Sequence, residues 1–505
     1  MTIRRIAAHK AHSTQPHPIP EEIMHSFVYP NRFDTIIVGV GGMGSATAYH
    51  LARRGQRVLG LEQFNIPHDQ GSSHGETRII RLPYYEDSSY VMLLLRAYEL
   101  WREIQRTSGQ HLLHLCGSVD AGPADSWVFK GALQSAMEYE LPHEVLTGKE
   151  LKERFPGYNL PQDSLALFQP EGGFLTPERA ILAYVFAAQA LGAEIHGQEP
   201  VLRWEALGQG EGVRIHTTRA VYEADSLVIT AGAWNDQQLR FLNGLAVPER
   251  QALAWFQPLK PALYQPESFP VFNLLVDEGR FYGFPVYGIP GFKIGLYHHF
   301  NETGPADAID KGVYWEDEEA LRACTAKYFP DAAGPTMTLK ACMFTNAPDG
   351  HFIIDLHPQY PQVAYASACT GHGYKFASVI GEIMADLAQH RRSRHNIEPF
   401  TANRFHGRYD FGVGGELSNV TQYARREQAH PTRGRDNRRP GSMTSLERPR
   451  RGMRTVNRAS AKQPSRVSHH DYAQFERGIH NRSDQPAGPS EQRAREQEWR
   501  ARSFW

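Results

Sequence analysis

Phe33-Asp34-Thr35-Ile36-Ile37-Val38-Gly39-Val40-Gly41-Gly42-Met43-Gly44 is the stretch that decides the fold. Its first half is a short β-branched run, the pattern of a strand buried on both faces of a parallel sheet. Its second half is a G-x-G-x-x-G loop. Beyond the loop Ala46, Ala48, Tyr49, Leu51 and Ala52 recur at helical spacing, Gly55 stops the helix, and Arg57-Val58-Leu59-Gly60-Leu61 reads as a second strand ending at Glu62. Glycines alone would be weak evidence, since they also mark ordinary turns. Placed between strand and helix, with an acid 18 residues past the last of them, they make a βαβ dinucleotide-binding unit. Gly39 permits the tight turn, Gly41 lets the backbone approach a pyrophosphate, and Gly44 lets helix and strand pack closely. The helix N-terminus offers amides to the phosphates, and Glu62 would accept hydrogen bonds from ribose hydroxyls.

Outward from this unit, Ser226-Leu227-Val228-Ile229-Thr230-Ala231-Gly232-Ala233-Trp234 is a further apolar strand ending in small residues. Thr176-Pro177-Glu178 opens a helix with an N-cap and Pro at the first position, and Gly192 closes it. Between about 240 and 340 the texture changes to aromatic alternation, as in Phe281-Tyr282-Gly283-Phe284 and Phe292-Lys293-Ile294-Gly295, the period-2 pattern of antiparallel strands. The fold class expected is therefore α/β with an α+β insert: a Rossmann-like domain carrying an antiparallel-sheet substrate domain.

The chain has 505 residues, enough for more than one domain at roughly 100–200 residues each. Its formal net charge of −1 hides a split. Residues 406–505 carry 20 Lys+Arg against 11 Asp+Glu, leaving 34 against 44 for the first 405, so the body is near −10 and the tail near +9. Leu, Ile, Val and Phe make up only 10 of the tail's 100 residues, below the roughly 20% at which a charged segment buries enough apolar surface to fold. The expected organisation is an extension over 1–31, a catalytic body over 32–405 and an Arg-rich disordered tail over 406–505. Within the body the nucleotide domain is expected at about 32–115, 165–240 and 340–405, and the substrate domain at about 116–164 and 241–339. The N-terminal segment resembles a transit peptide in composition, but a disordered extension, or a start at Met24, is the favoured reading.

Four cysteines (Cys116, Cys324, Cys342, Cys369) without C-x-x-C spacing exclude a disulfide scaffold and give no zinc pattern, so no metal is expected. With no run of ~18 apolar residues, the chain reads as soluble, in a reducing compartment, and cytoplasmic.

NAD and FAD share the βαβ signature, and other residues must decide between them. Directly after the second strand comes Gly71-Ser72-Ser73-His74-Gly75-Glu76-Thr77-Arg78-Ile79-Ile80-Arg81. Arg78 and Arg81, three apart, would share a helical face and bind a carboxylate or an anionic flavin. This loop, with Tyr282-Gly283-Phe284-Pro285, Lys293-Ile294-Gly295, Ala341-Cys342-Met343, His351-Phe352-Ile353-Ile354-Asp355 and Gly371-His372-Gly373-Tyr374-Lys375-Phe376, resembles the monomeric sarcosine oxidase and N-methyltryptophan oxidase family of covalent flavoproteins, which have a D-amino-acid-oxidase-like fold. The resemblance runs from Phe33 to Phe405.

The resemblance implies FAD as cofactor, joined through Cys342 to the 8α-methyl group, while Cys116, Cys324 and Cys369 stay inert thiols. It implies Gly39, Gly41, Gly44, Glu62, His74, Thr77, Arg78, Gly371, Gly373 and Lys375 as cofactor contacts, with Lys375 at a helix N-terminus whose dipole favours negative charge on the reduced ring. Arg81 and Lys375 would hold the substrate carboxylate, Tyr282 would line the substrate cavity, and Lys293 would promote reaction with dioxygen. Arg78 and His298 complete the catalytic set. The family places a histidine four residues after the lysine, where this chain has Tyr297. A one-residue insertion at Leu296 would restore His298, with His299 the other candidate, although such a slip in a strand flips every later side chain unless a bulge absorbs it. The sarcosine-specific pattern also has a tyrosine two residues after the flavin cysteine, where this chain has Phe344.

The expected activity is oxidation of a secondary amine of an N-methyl or cyclic amino acid, with dioxygen reduced to hydrogen peroxide, by a monomer acting on a small molecule. Alternatives in the same class are an N-methyl-L-tryptophan or L-pipecolate-type oxidase, or an FAD dehydrogenase with another electron acceptor. A reading from a different class is nucleic-acid binding by the tail, through clusters such as Arg433/Arg435/Arg438/Arg439 and Arg448/Arg450/Arg451/Arg454. Sparse aromatics and interspersed acids favour a solvated extension, and no nucleic-acid partner is expected.

Overall fold

The computed structural model describes residues 32–405, so the expectations for residues 1–31 and 406–505, the basic tail included, lie outside the described residues. The β-branched run forms the strand Arg32–Val38. It lies between Val221–Ile229 and Val58–Leu61, parallel to both. Ile37 packs into a layer of helices, while Ile36 and Val38 pack into a cluster with Leu239, Leu242 and Tyr365 on the other face. Each isoleucine removed from water in this way stabilises the fold by roughly 1.5–3 kcal/mol, which is why the run has no polar alternation. Glu194–His196 adds to one edge in parallel, Val363–Ser367 pairs in parallel with the C-terminal end of Val221–Ile229, and the hairpin Val201–Ala206/Val213–Thr217 pairs antiparallel with that strand's first half.

The helical layer holds Gly42–Arg53, Val91–Ser108, Pro177–Ala190 and Ala377–His390. Gly42–Arg53 and Ala377–His390 approach closely, since a Cβ at Gly381 would stand 2.5 Å from the Cβ of Ala46. Pro177–Ala190 starts where the sequence predicts, but Thr176 does not cap it: no side-chain cap bond is made. Glu178 in its first turn instead accepts the amides of Gly75 (2.6 Å) and Glu76 (3.1 Å), tying the polar loop to the helix.

The second sheet runs in the order Thr336–Asn346, Val247–Phe256, Phe292–Leu296, Gly279–Phe284, Val271–Val276, Ser118–Gly122, Leu165–Gln169, Glu144–Thr147. All neighbours are antiparallel except Val271–Val276 with Ser118–Gly122. Leu165–Gln169 and Thr336–Asn346 pair within this sheet, whereas the boundaries expected from sequence place 165 onward and 340 onward with the nucleotide half. Strand periodicity reports burial on each face and carries no information about which sheet a strand joins.

Arg78–Ile80 is a strand, in a small antiparallel sheet with Gly173–Leu175 and Leu113–Leu115. The helical face expected for Arg78 and Arg81 does not form. At period 2 an i,i+3 pair points to opposite sides, and the two arginines have separate surroundings.

Candidate active site

A cleft runs from the glycine loop to the second sheet. At one end the three loop glycines are required for three different reasons. Gly39 has φ +88°, and a Cβ there would meet the carbonyl oxygen of Thr230 at 2.6 Å. A Cβ at Gly44 would stand 1.9 Å from the carbonyl oxygen of Gly39, whereas one at Gly41 would meet nothing within 4 Å and would project into open space. Gly41 is the N-cap of Gly42–Arg53 and provides no side-chain cap, leaving first-turn amides for an anion. Glu62 lines the same cleft, its carboxylate anchored by the amides of Val40 (2.9 Å) and Phe64 (3.0 Å). The open cradle at Gly41, the uncapped helix and the fixed acid suit the phosphates and ribose of a dinucleotide.

The other end is built by one face of the second sheet, because cross-strand partners share a face. Register pairs Trp255 and Phe284 with Lys293, Tyr282 and Leu253 with Gly295, and Gln251 with Cys342. Gly295 leaves room for Tyr282, whose ring carbon Cζ would be 2.5 Å from a Cβ at that position. Cys342, Phe344, Tyr282, Phe284 and Tyr297 line the cleft. Burial pushes the Cys342 thiol pKa up, while Arg78 and Lys293 draw it down; burial also pushes Tyr282 well up. Facing this end is the Gly371-His372-Gly373-Tyr374-Lys375 turn before the helix Ala377–His390.

Of the residues singled out from sequence, Gly39, Gly41, Glu62, Arg78, Tyr282, Cys342, Gly371, Gly373 and Lys375 line the cleft. Arg78 donates to the carbonyls of Thr77 (2.8 Å) and Ser72 (2.7 Å), and so braces the loop it stands on. Lys293 lies one layer behind, fully enclosed, donating to the carbonyls of Gly75 (2.7 Å) and Thr77 (2.9 Å) and to the Thr77 hydroxyl (3.0 Å). Burial, then Arg78, pushes its pKa well below the ordinary lysine value. His74 is buried beside an adjoining cavity with Lys340 and Glu178 in its walls, and Thr77 is buried against Lys293.

Two expectations are corrected. Arg81 is enclosed away from the cleft, donating to Glu86 at 2.7 Å and lying 3.5 Å from Asp120, with its guanidinium carbon 3.9 Å from the Tyr85 ring centroid. His298 does not reach the cleft: it sits at φ +54° and pairs with Glu249 at 2.9 Å, and His299 pairs with Asp317 at 2.7 Å inside the protein. Tyr297 lines the cleft instead, because the strand carries no bulge and period 2 from Lys293 and Gly295 brings position 297 to the same face. Cys369, read as an inert thiol, also lines the cleft.

Sequence reasoning missed Glu86, Asp120, Tyr84 and Tyr297 as site residues. For Glu86 and Tyr84 a signal existed, since Tyr84-Tyr85-Glu86 follows Arg81 almost directly. Asp120 is brought in by a distant strand. Lys375, on the cleft wall, is drawn down to about 7 by burial and then by Arg81, against Glu86 and Asp120.

The FAD dependent oxidoreductase family model matches residues 34–387. A monomeric sarcosine oxidase of Streptomyces avermitilis is 41% identical over 377 residues, 74% of this chain and 97% of that protein. The human peroxisomal sarcosine oxidase is 33% identical over 380 residues (74% and 96%), and an N-methyl-L-tryptophan oxidase of Yersinia pestis 33% over 376 (74% and 99%). Among solved structures, NikD, an amino acid oxidase of nikkomycin biosynthesis, superposes with a TM-score of 0.64 at 24% identity over 74% of this chain and 97% of its own. The L-proline dehydrogenase of P. horikoshii does so with 0.65 at 20% over 74% and 98%. At these identities the structural matches speak for the fold.

Proposed function

The chain belongs to the FAD dependent oxidoreductase family, in the group of the monomeric sarcosine and N-methyl-L-tryptophan oxidases, and on that premise we propose that it oxidises the secondary amine of a small N-methyl or cyclic amino acid. The observation that supports this most is the unbroken cleft joining a dinucleotide cradle to a chamber with Arg78, Lys375 and aromatic walls. Bound there, FAD supplies a two-electron acceptor for the carbon–nitrogen bond and delivers the electrons to dioxygen, giving hydrogen peroxide. The first sheet and its helices form the nucleotide part, and the second sheet forms the substrate part.

Gly39, Gly41, Gly44 and Glu62 hold the dinucleotide, with Gly371 and Gly373 allowing close approach at the ring end. Cys342 would be the attachment residue: Arg78 and Lys293 nearby draw it toward its thiolate, which would replace a C–H bond of the flavin's 8α-methyl group to give a thioether, the proton going to solvent and the two electrons to the flavin ring and on to dioxygen. Lys375 binds the carboxylate, and Tyr282, Tyr297 and Phe344 exclude water from the reacting carbon. Orienting the amine in this way supplies a proximity contribution of several kcal/mol, within the roughly 7–11 kcal/mol available to ideal positioning. Lys293, held by Gly75 and Thr77, stabilises negative charge developing on dioxygen. The protein acts as a cytoplasmic monomer. No helix among the described residues is long and apolar enough to cross a membrane.

The test is a peroxide assay over a panel of sarcosine, N-methyl-L-tryptophan, L-proline and L-pipecolate. Peroxide with at least one member supports the reading. Turnover with an artificial acceptor but no peroxide in air would mark a dehydrogenase instead.

A further inference from the structure

Lys375 is held by a directed hydrogen-bond chain. His372 Nε2 lies 3.0 Å from the carbonyl oxygen of Gly350, so this nitrogen carries the ring proton and Nδ1 presents a lone pair. The Tyr84 hydroxyl, 2.6 Å from Nδ1, donates to it. Its oxygen keeps lone pairs for Lys375 Nζ, 3.5 Å away, and Nζ also donates to the carbonyl oxygen of His372 at 2.8 Å. Two of the three ammonium protons are thus committed to the protein, and the third is left for the cleft that Lys375 lines. All three side chains are buried, and the Tyr84 ring is close to two cations, with Arg81 at 4.5 Å and Lys375 at 5.2 Å from its centroid.

We propose that Tyr84 and His372 are positioning residues for Lys375, turning its uncommitted N–H toward a substrate carboxylate and favouring its charged form. The proposal rests on the function put forward above. The ionisable groups facing Lys375 are Arg81, which disfavours its charge, and Glu86 and Asp120, which favour it. His372 is pushed down to about 3 by burial and stays neutral, so Nδ1 remains an acceptor at any working pH. Without the Tyr84 hydroxyl the ammonium loses an oxygen acceptor, and the neutral amine gains by comparison.

The test is propionate binding to the flavin-loaded enzyme from about pH 6 to pH 9, read by perturbation of the flavin absorbance and by the rise in melting temperature. In Tyr84→Phe the midpoint of the pH profile moves about one unit to acid, so affinity near pH 8 falls about tenfold and recovers near pH 6. His372→Asn, whose Oδ1 replaces Nδ1 as acceptor, keeps the wild-type profile, while His372→Leu reproduces that of Tyr84→Phe. An unchanged midpoint in Tyr84→Phe, whatever its overall affinity, overturns the proposal. If that variant does not fold, His372→Leu against His372→Asn decides by the same criterion. Absence of propionate binding by the wild type at every pH contradicts instead the carboxylate role of Lys375 on which the proposed function stands.

Discussion

Nη2 of Arg81 donates to Oε2 of Glu86 at 2.7 Å, and with Arg81 only 1% and Glu86 10% exposed, the pair is closed off from water. Burial by itself would raise the pKa of Glu86, but the Arg81 guanidinium outweighs it and holds the carboxyl down to about 2. Glu86→Ala would leave a buried arginine with only Asp120 for charge compensation and should cost about 3–5 kcal/mol, measured by denaturant unfolding. The Glu86 contribution is present above the ordinary carboxylate range and fades as pH falls toward 2. The wild-type advantage over the variant should therefore narrow in acid.

With Arg81 paired to Glu86 and Arg78 bracing its own loop, Lys375 is the cation on the cleft wall with a proton to offer a carboxylate. A lysine is charged below its pKa, here drawn down to about 7. Carboxylate inhibitors that lack an amine should bind tightest below pH 7 and lose about tenfold in affinity per unit above it. Lys375→Met should bind them weakly at every pH, and inhibition constants across pH measure both effects.

Lys293→Met removes the amine that donates to Gly75 and Thr77 while preserving length. Because Lys293 lies behind the Gly75–Thr77 loop and outside the cleft wall, substrate binding and flavin reduction should change little. Reoxidation by dioxygen should slow by about 10²-fold or more, in line with loss of a preorganised electrostatic group. Stopped-flow measurement of the two half-reactions checks this, and equal slowing of both would contradict the assignment.

The loop glycines should separate by phenotype. Gly41→Val places its side chain in open space, so the protein should fold with normal thermal stability yet retain little FAD. Gly39→Val and Gly44→Val drive a Cβ into backbone oxygens and should lower the yield of folded protein. Flavin content per chain and melting temperature distinguish the two outcomes.

Acid precipitation should leave the yellow colour with the wild-type chain and release it to the supernatant from Cys342→Ser. Free flavin from the wild type would contradict attachment at Cys342.

The βαβ unit was legible because most of its constraints are local: Gly39 turns at positive φ, Gly44 is forced by the carbonyl of Gly39 in the same loop, and Glu62 follows the adjacent strand. Cys342, Tyr282 and Lys375 were legible through motif resemblance, and the structure brings them to one cleft. The helical face shared by Arg78 and Arg81 was misread because the chain is extended at Arg78–Ile80, which turns an i,i+3 pair from the same side to opposite sides, while the resemblance supplied the carboxylate role given to Arg81. Its partner Asp120 comes from a strand of the second sheet, a tertiary relationship that no local pattern carries. His298 was reached by supposing a one-residue insertion at Leu296, but the strand pairs without a register shift, so Tyr297 stays in phase with Lys293 and Gly295, keeps one last ladder bond to the Arg280 carbonyl (2.9 Å), and the chain then turns through positive φ at His298. The strands at 165 and 340 were assigned to the nucleotide half, whereas they pair in the second sheet, because strand periodicity does not say which sheet a strand joins.

The most direct measurement is anaerobic mixing of the purified yellow protein with sarcosine, L-proline and N-methyl-L-tryptophan in turn, followed by admission of air. Bleaching of the flavin band by at least one of them, with the colour returning in air and hydrogen peroxide formed in step with the amine oxidised, is the expected result. No bleaching by any secondary amino acid, or bleaching that air does not reverse with peroxide, would contradict amine oxidation coupled to dioxygen.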